Sequence, residues 1–187
     1  MSQTNSVTGR SASSAVKKLV FSAMGIALAM VTSYIKVWEM PMGGSVTLLS
    51  MLFICLIGNW FGAGYGILTG VGYGFLQFIA DPYMMSIPQV LFDYPLAFGA
   101  LGLSGFFSGR KYGLQIGYVV GVLGRFLCST LSGVFFFAAY APEGMNPWVY
   151  SSLYQGSYLG AEGIITLAII SIPPVAKALD TVKRQAM

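Results

Sequence analysis

Three ionisable residues stand inside long apolar runs. Asp93 lies in the run Ile87 to Phe107, Arg125 in the run Tyr112 to about Tyr140, and Glu162 in the run from about Tyr154 to Leu179. On insertion scales an ionised side chain at a bilayer centre costs about 2.5–3.5 kcal/mol, which makes each a candidate for function. A carboxylate in such surroundings can pair a cationic ligand or accept hydrogen bonds from ring amines. Asp93 precedes Tyr94 and Pro95 and favours function. Arg125 reads either as functional or as an internal salt-bridge partner of Asp93 or Glu162. Glu162 is open between the two roles. Aromatic residues gather at the same ends of the runs as Asp93: Trp38, Tyr83, Tyr140, Trp148, Tyr150 and Tyr154, with Tyr73, Tyr94 and Phe137 slightly deeper. An interfacial belt accounts for some of them. The opposite ends hold fewer, which points to a pocket for a flat ligand around a carboxylate. Ring stacking and cation–π contact there contribute about 0.5–2 kcal/mol per ring.

The absences also bound the chemistry. The chain has no histidine, which removes His-based acid–base catalysis and His metal ligation. Its two cysteines, Cys55 and Cys128, lie in apolar runs without CxxC spacing and read as packing residues. There is no Walker A sequence, so any ATP-driven function requires a partner. HExxH, GxSxG and dense carboxylate clusters are missing, and no cofactor is implied.

The elements that must position these residues are membrane helices. Of 187 residues, 56% are hydrophobic and 9% charged, against roughly 25% charged in an ordinary soluble domain. The mean hydropathy is +0.72. This composition excludes a cytosolic enzyme, a nucleic-acid binder and a disordered chain. At roughly 30 residues per span and connection, the length corresponds to about six spans. The apolar runs are Leu19 to about Val37, Val46 to Phe61, Ala63 to Ala80, and the three named above. The expected fold is an all-α membrane protein, six transmembrane helices in one compact bundle. Residues 1–18 read as a flexible cytoplasmic tail, 19–179 as the transmembrane substrate-binding domain, and 180–187 as a short basic tail. A signal peptide at the N-terminus is the rival reading, but the apolar run continues past its Ala27-Leu28-Ala29 cleavage-like site. With the N-terminus inside, the inner segments carry Arg10, Lys17, Lys18, Arg110, Lys111, Lys177, Lys183 and Arg184, and the outer segments only Lys36. That asymmetry puts both termini in the cytoplasm. Glycines recur every four residues at Gly58, Gly62, Gly66, Gly70 and Gly74, and again at Gly109, Gly113, Gly117 and Gly121. Such rows permit close helix approach, here expected within the bundle. The first outer loop, with Pro41 and Gly43-Gly44, reads as a shaped turn that serves as a connector or a lid.

The stretches MPMGGSVTLLSML (40–52), QVLFDYPLAFGALGLSG (89–105) and SGVFFFAAYAPEGMNPWVYSSLY (132–154) resemble the thiamine-specific S-components of energy-coupling factor (ECF) transporters. The similarity runs from about residue 19 to 176. It implies a bacterial plasma-membrane protein that is not an enzyme. Such a protein binds thiamine from outside and delivers it with a membrane coupling protein and two cytoplasmic ATPases. The small-residue docking motif of the family falls on Ala23 and Ala27. Its acidic-Tyr pair falls on Asp93-Tyr94 and its loop tyrosine on Tyr83. Its third-helix aromatic aligns with Tyr73 after a one-residue shift. The polar tail of the site falls on Tyr150 and Gln155, and Trp38 aligns loosely as a first-loop aromatic. Two positions depart from the family. Ser129 stands where some relatives have His, and Phe137 where some have a stacking Trp. These departures leave open a different ligand, such as an aminopyrimidine thiamine precursor or riboflavin. A stand-alone carrier, or a small membrane enzyme using Asp93 and Glu162, is a more remote alternative.

Overall fold

The computed structural model describes residues 4–40 and 44–187; Pro41 and Gly43 of the expected loop turn lie outside the described residues. The chain is almost entirely helical, with one short hairpin near its start. Helix α1 covers Thr4–Ser33, so part of the stretch read as a tail is helical. It ends before the apolar run does. Thr32 and Ser33 turn their hydroxyls back onto the carbonyls of Leu28 and Met30, at 2.8 and 2.7 Å, competing with the helical ladder. The chain then forms an antiparallel hairpin, β1 (Lys36–Glu39) and β2 (Ser45–Thr47). An all-α reading omits this element.

Helix α2 (Ser50–Phe61) is short and apolar. It joins α3 (Ala63–Ala80) through Gly62, whose φ of 94° suits glycine. A broken helical segment follows: α4 (Ile87–Leu91), a π-helical turn (Phe92–Leu96), α5 (Ala97–Ala100) and a 3₁₀ turn (Leu101–Phe107). Pro95 explains the π turn. Its nitrogen has no proton to donate and its ring would clash with the carbonyl four residues back, so the turn widens. Helix α6 (Gly113–Phe136) and α7 (Pro147–Ser171) complete the long elements. Asn146 caps α7 by accepting from the Trp148 amide at 2.8 Å, with Pro147 in the first turn.

The last apolar run does not continue straight to Leu179. Helix α7 stops at Ser171 and α8 (Pro173–Ala186) leaves at 83°. Ile172 precedes a proline and takes the extended backbone that position favours, and Pro173-Pro174 begin a new helix rather than extend the old one. Among the described residues, three helical stretches are long and apolar enough to cross a membrane: Ser14–Ser33, Ile87–Phe107 and Gly113–Phe136. The bent pair α7–α8 passes the same test when taken together.

The glycine rows pack the bundle from within. The broken segment lies between α3 and α6. A Cβ on Gly74 would lie 2.6 Å from the Tyr94 carbonyl oxygen, and one on Gly117 2.6 Å from that of Ser104. Gly70 sits equally hard against Phe98. Glycine on both flanks therefore lets the backbone that carries Asp93 run in contact with its neighbours. The core below it is built from Met51, Ile54, Cys55, Leu101, Tyr118 and Leu159, all buried.

Candidate ligand-binding site

A cavity of about 590 Å³ opens between the hairpin, α3, the loop 81–86, the π turn, α6 and α7. Tyr73, Tyr83, Asp93, Tyr94, Ser129, Phe137, Tyr150 and Gln155 all line it. Trp38 does not: it sits on β1 and is 70% exposed. The reason is local. The β1–β2 register breaks between Lys36 and Trp38, so the two no longer share a strand face. Lys36 reaches the cavity and the indole points away from it. Ala23 and Ala27 are exposed on α1, whereas Ala29 beside them is fully buried. The two alanines thus belong to an outward-facing stripe.

Asp93 is held by a residue that the sequence reading overlooked. Gln89, one turn earlier and 1% exposed, donates from Nε2 to Asp93 Oδ2 at 2.6 Å. Its Oε1 accepts from the Met85 amide at 3.0 Å. The Gln89 amide in turn donates to Ser86 Oγ at 3.3 Å, which caps α4. A signal for this was present: Ser86-x-x-Gln89 is a capping-box pattern, and Gln89 and Asp93 are four residues apart on one helical face.

The tyrosine beside Asp93 does something different. The Tyr94 hydroxyl donates to the Asp81 carbonyl at 3.0 Å and accepts from the Tyr83 amide at 3.2 Å. It clasps the first half of the loop 81–86, at residues 81 and 83. That loop presents the Tyr83 ring, which stacks on Phe137 at 5.7 Å between centroids and 26° between planes. Phe137 continues to Tyr140 at 6.1 Å. A ladder of three rings therefore flanks the cavity. Hydrogen bonding with Tyr140 holds the Tyr83 phenol above its ordinary pKa, so it stays neutral at physiological pH. On the hairpin, the Glu39 carboxylate, 2.8 Å away, raises Lys36 and keeps it cationic.

Deeper in, Tyr73 is fully buried, meets Phe98 edge-on at 4.8 Å, and donates to the Ala29 carbonyl of α1 at 3.3 Å. Gln155 donates from Nε2 to the Ser129 carbonyl at 3.3 Å, and its Oε1 accepts from the Tyr158 hydroxyl. Tyr150 stacks on Tyr154 at 6.2 Å, and the Tyr154 hydroxyl accepts from the Gly44 amide at 2.9 Å.

The two remaining charges take distinct places. Arg125 forms no ion pair among the described residues, so neither salt bridge considered for it is present. Its guanidinium lies 4.1 Å from the centre of the Phe98 ring, a cation–π contact. Glu162, 3% exposed, is saturated. Its Oε2 accepts from the Thr47 amide at 3.1 Å and the Thr47 hydroxyl at 2.7 Å. Its Oε1 accepts from Ser50 Oγ at 3.1 Å and the Met51 amide at 3.3 Å. The carboxylate caps the N-terminus of α2, where a negative charge is favoured, and ties β2 to α7. Among the described residues no group of three His, Cys, Asp or Glu could hold a metal ion.

The cavity is therefore a ring-lined chamber whose wall carries Asp93 with an oxygen left for a partner, beside a Glu162 that the protein already satisfies, and it suits an organic molecule with amine or cationic character. Comparisons with known proteins give the family. The family model described as thiamine transporter protein (Thia_YuaJ) matches residues 19–181. The thiamine transporter ThiT of Bacillus subtilis (strain 168) is 33% identical over 148 residues, 72% of this chain and 77% of that one. The thiamine transporter ThiT of Lacticaseibacillus paracasei is 28% identical over 127 residues, 60% of this chain and 61% of that one. Among solved structures, ThiT from Listeria monocytogenes shares the fold, with a TM-score of 0.71 over 84% of this chain and 94% of that chain, at 24% identity. With apolar membrane-length helices, a ring-lined cavity and a family match over nearly its whole length, this chain belongs to the thiamine transporter protein family, a family of transporters and not of enzymes.

Proposed function

We propose that this chain is the thiamine-binding membrane subunit, the S-component, of an ATP-driven ECF importer in a bacterial plasma membrane. One observation carries the reading: eight residues singled out from separate stretches of sequence line one cavity. Its volume falls in the range of small-molecule sites, about 300–1,000 Å³. The charged side chains on its wall are Asp81, Asp93 and Glu162 against Lys36 and Arg125. That excess of negative charge complements the single positive charge of a thiazolium. Asp93 pairs the charge or receives the aminopyrimidine amine, and the rings of Tyr83, Phe137 and Tyr73 supply stacking faces.

The cavity lies at the end of the bundle that carries the hairpin and the loops 81–86 and 137–146. Arg110, Lys111, Lys177, Lys183 and Arg184 belong to the opposite connections and to α8. On the positive-inside rule the cavity opens outward and both termini are cytoplasmic, with six spans between them. Helices α2 and α3 then cross as the second and third spans, and α8 lies along the inner surface. The exposed stripe with Ala23 and Ala27 offers close approach to a membrane coupling protein, which with two ATPases supplies the energy this chain lacks.

Calorimetric titration of the purified, detergent-solubilised protein tests the ligand. The expected result is tight, saturable, one-to-one binding of thiamine with riboflavin inert. Absence of thiamine binding, with heat released by an aminopyrimidine precursor, would transfer the site to that ligand and identify Ser129 and Phe137 as the cause. For coupling, Ala27→Trp is expected to abolish ATP-dependent uptake in cells while sparing binding. Normal uptake by that variant would remove the α1 stripe from the interface.

A further inference from the structure

The most consequential side chain outside the residues already assigned a role is Gln89. It is buried, polar and fully used. Its amide group has two hydrogens and one oxygen, and its three partners fix which is which. Met85 offers an N–H and can be met only by the oxygen. Asp93 Oδ2 at 2.6 Å and the Tyr83 carbonyl at 3.4 Å can be met only by the NH₂. The orientation of the amide is thereby set by chemistry and not by choice of fit.

These three contacts join two parts of the site. One hydrogen points at the carboxylate and the other at the backbone of the ring-bearing loop. We infer that Gln89 is the positioning residue of the site: it locks the rotation of the Asp93 carboxylate and registers the Tyr83 loop against it, so that charge and ring face meet the ligand at a fixed separation. The inference rests on Asp93 being the carboxylate that meets the ligand. A carboxylate on a π turn needs such a device. The widened turn frees it from regular helical geometry, and the π turn's own side chains offer no donor on that side. Fixing its orientation before the ligand arrives reduces the ordering cost of binding.

Two substitutions separate this role from simple support of the loop. Gln89→Met keeps the size and removes all three polar contacts. Gln89→Glu keeps the shape and the acceptor for the Met85 amide, but turns the donor toward Asp93 into a second anion. If Gln89 served only to hold the loop, Glu would be the milder change. As a positioning residue for the carboxylate, Glu is the worse one.

The experiment is a calorimetric titration with thiamine of wild type, Gln89→Met, Gln89→Glu and Asp93→Asn, each checked by size exclusion for monodisperse folding. At pH 7.5, Gln89→Met is expected to weaken binding by about tenfold to a hundredfold, the effect of losing a hydrogen bond to a charged group. Gln89→Glu is expected to weaken it further and to regain at least tenfold between pH 7.5 and 6. Two carboxylates in contact share a proton at raised pH, and that proton restores a donor. Wild type is expected to stay flat over the same range. The other ionisable groups whose charge reaches Asp93 are Arg125 and Cys128 on α6, Tyr94 beside it and Tyr158 on α7. None of these types ordinarily titrates between pH 6 and 7.5.

Wild-type affinity in Gln89→Met, or Gln89→Glu binding as well as Gln89→Met with no pH response, would overturn the inference. If Gln89→Met fails to fold, the Glu variant alone decides by its pH response. Unchanged affinity in Asp93→Asn would instead overturn the assignment of the carboxylate, a separate failure that this set identifies.

Discussion

Asp93 and Glu162 line the same cavity, yet they are held in opposite ways. Glu162 accepts four hydrogen bonds from the backbone and side chains of Thr47, Ser50 and Met51, at the end of β2 and the first turn of α2. Both its oxygens are consumed by the protein. Among the described residues, Asp93 receives a hydrogen bond on one oxygen from Gln89, with the Ser132 hydroxyl as a weaker neighbour. Both carboxylates lie in apolar runs, and by insertion cost both are equal candidates for function. The difference in donors divides them. A buried carboxylate that the fold already satisfies has little left to offer a ligand, whereas one short of donors gains most from a partner that brings its own.

The sharpest way to break this comparison is to remove both charges in turn. Asp93→Asn keeps the shape and deletes the anion. Thiamine binding is expected to fall by about a hundredfold or more, the cost of losing a charge-assisted contact in a low-dielectric site. The thermal midpoint is expected to stay near that of wild type. Equal affinity in the mutant and wild type, measured calorimetrically, would put the carboxylate outside the mechanism. Glu162→Gln is expected to show the reverse pattern. The amide can no longer accept with both ends, so donors around Thr47 or Ser50 lose their partner. The protein should be destabilised by about 2 kcal/mol, with thiamine affinity reduced less than by Asp93→Asn. A Glu162→Gln protein that unfolds like wild type but fails to bind would show that the two carboxylates share one role.

The same comparison shows how much the sequence could say. Asp93 is legible as a cavity residue because an ion in an apolar run is costly to keep, and Tyr83 and Phe137 because aromatic residues gather at that end of the runs beyond what an interfacial belt requires. The glycine rows were legible as close packing, because four-residue spacing places them on one helix face. What failed was what depends on partners distant in the chain. The fate of Glu162 turns on Thr47, 115 residues away, and no local pattern marks that pair. Trp38 carried the right residue type in the right loop, but the β1–β2 irregularity turned it outward. The 83° break at Ile172 was written in the Pro173-Pro174 pair, yet hydropathy continues through it to Leu179, so the run looked longer than the helix. Gln89 was missed for a different reason: an uncharged residue in an apolar run draws no attention until its contacts are known.

The ring ladder is a second region that differs from the carboxylates, because its members act by area and not by charge. Phe137→Ala is expected to weaken thiamine binding by about threefold to tenfold, the effect of one stacking face. Phe137→Trp, which enlarges the face, is expected to tighten it. If both changes left affinity untouched in the same titration, the Tyr83–Phe137 stack would be a mouth lining and not a contact surface.

Within that ladder, ring and hydroxyl can be separated by two tyrosines that differ in what their oxygens do. The Tyr94 hydroxyl bridges Asp81 and Tyr83 and so holds the loop in place. Tyr83 is 48% exposed and contributes its face to Phe137. Its hydroxyl lies near that of Tyr140 at the rim, where water can take the place of either. Tyr94→Phe is therefore expected to weaken thiamine binding by about fivefold, one neutral hydrogen-bond network lost at the loop. Tyr83→Phe is expected to stay within about twofold of wild type, since an exposed hydrogen bond that water can substitute contributes little. Titration of the two single mutants side by side checks the order. If Tyr83→Phe proved the more damaging, the rim hydroxyl would be touching the ligand, and the loop would matter for what it presents and not for where Tyr94 holds it.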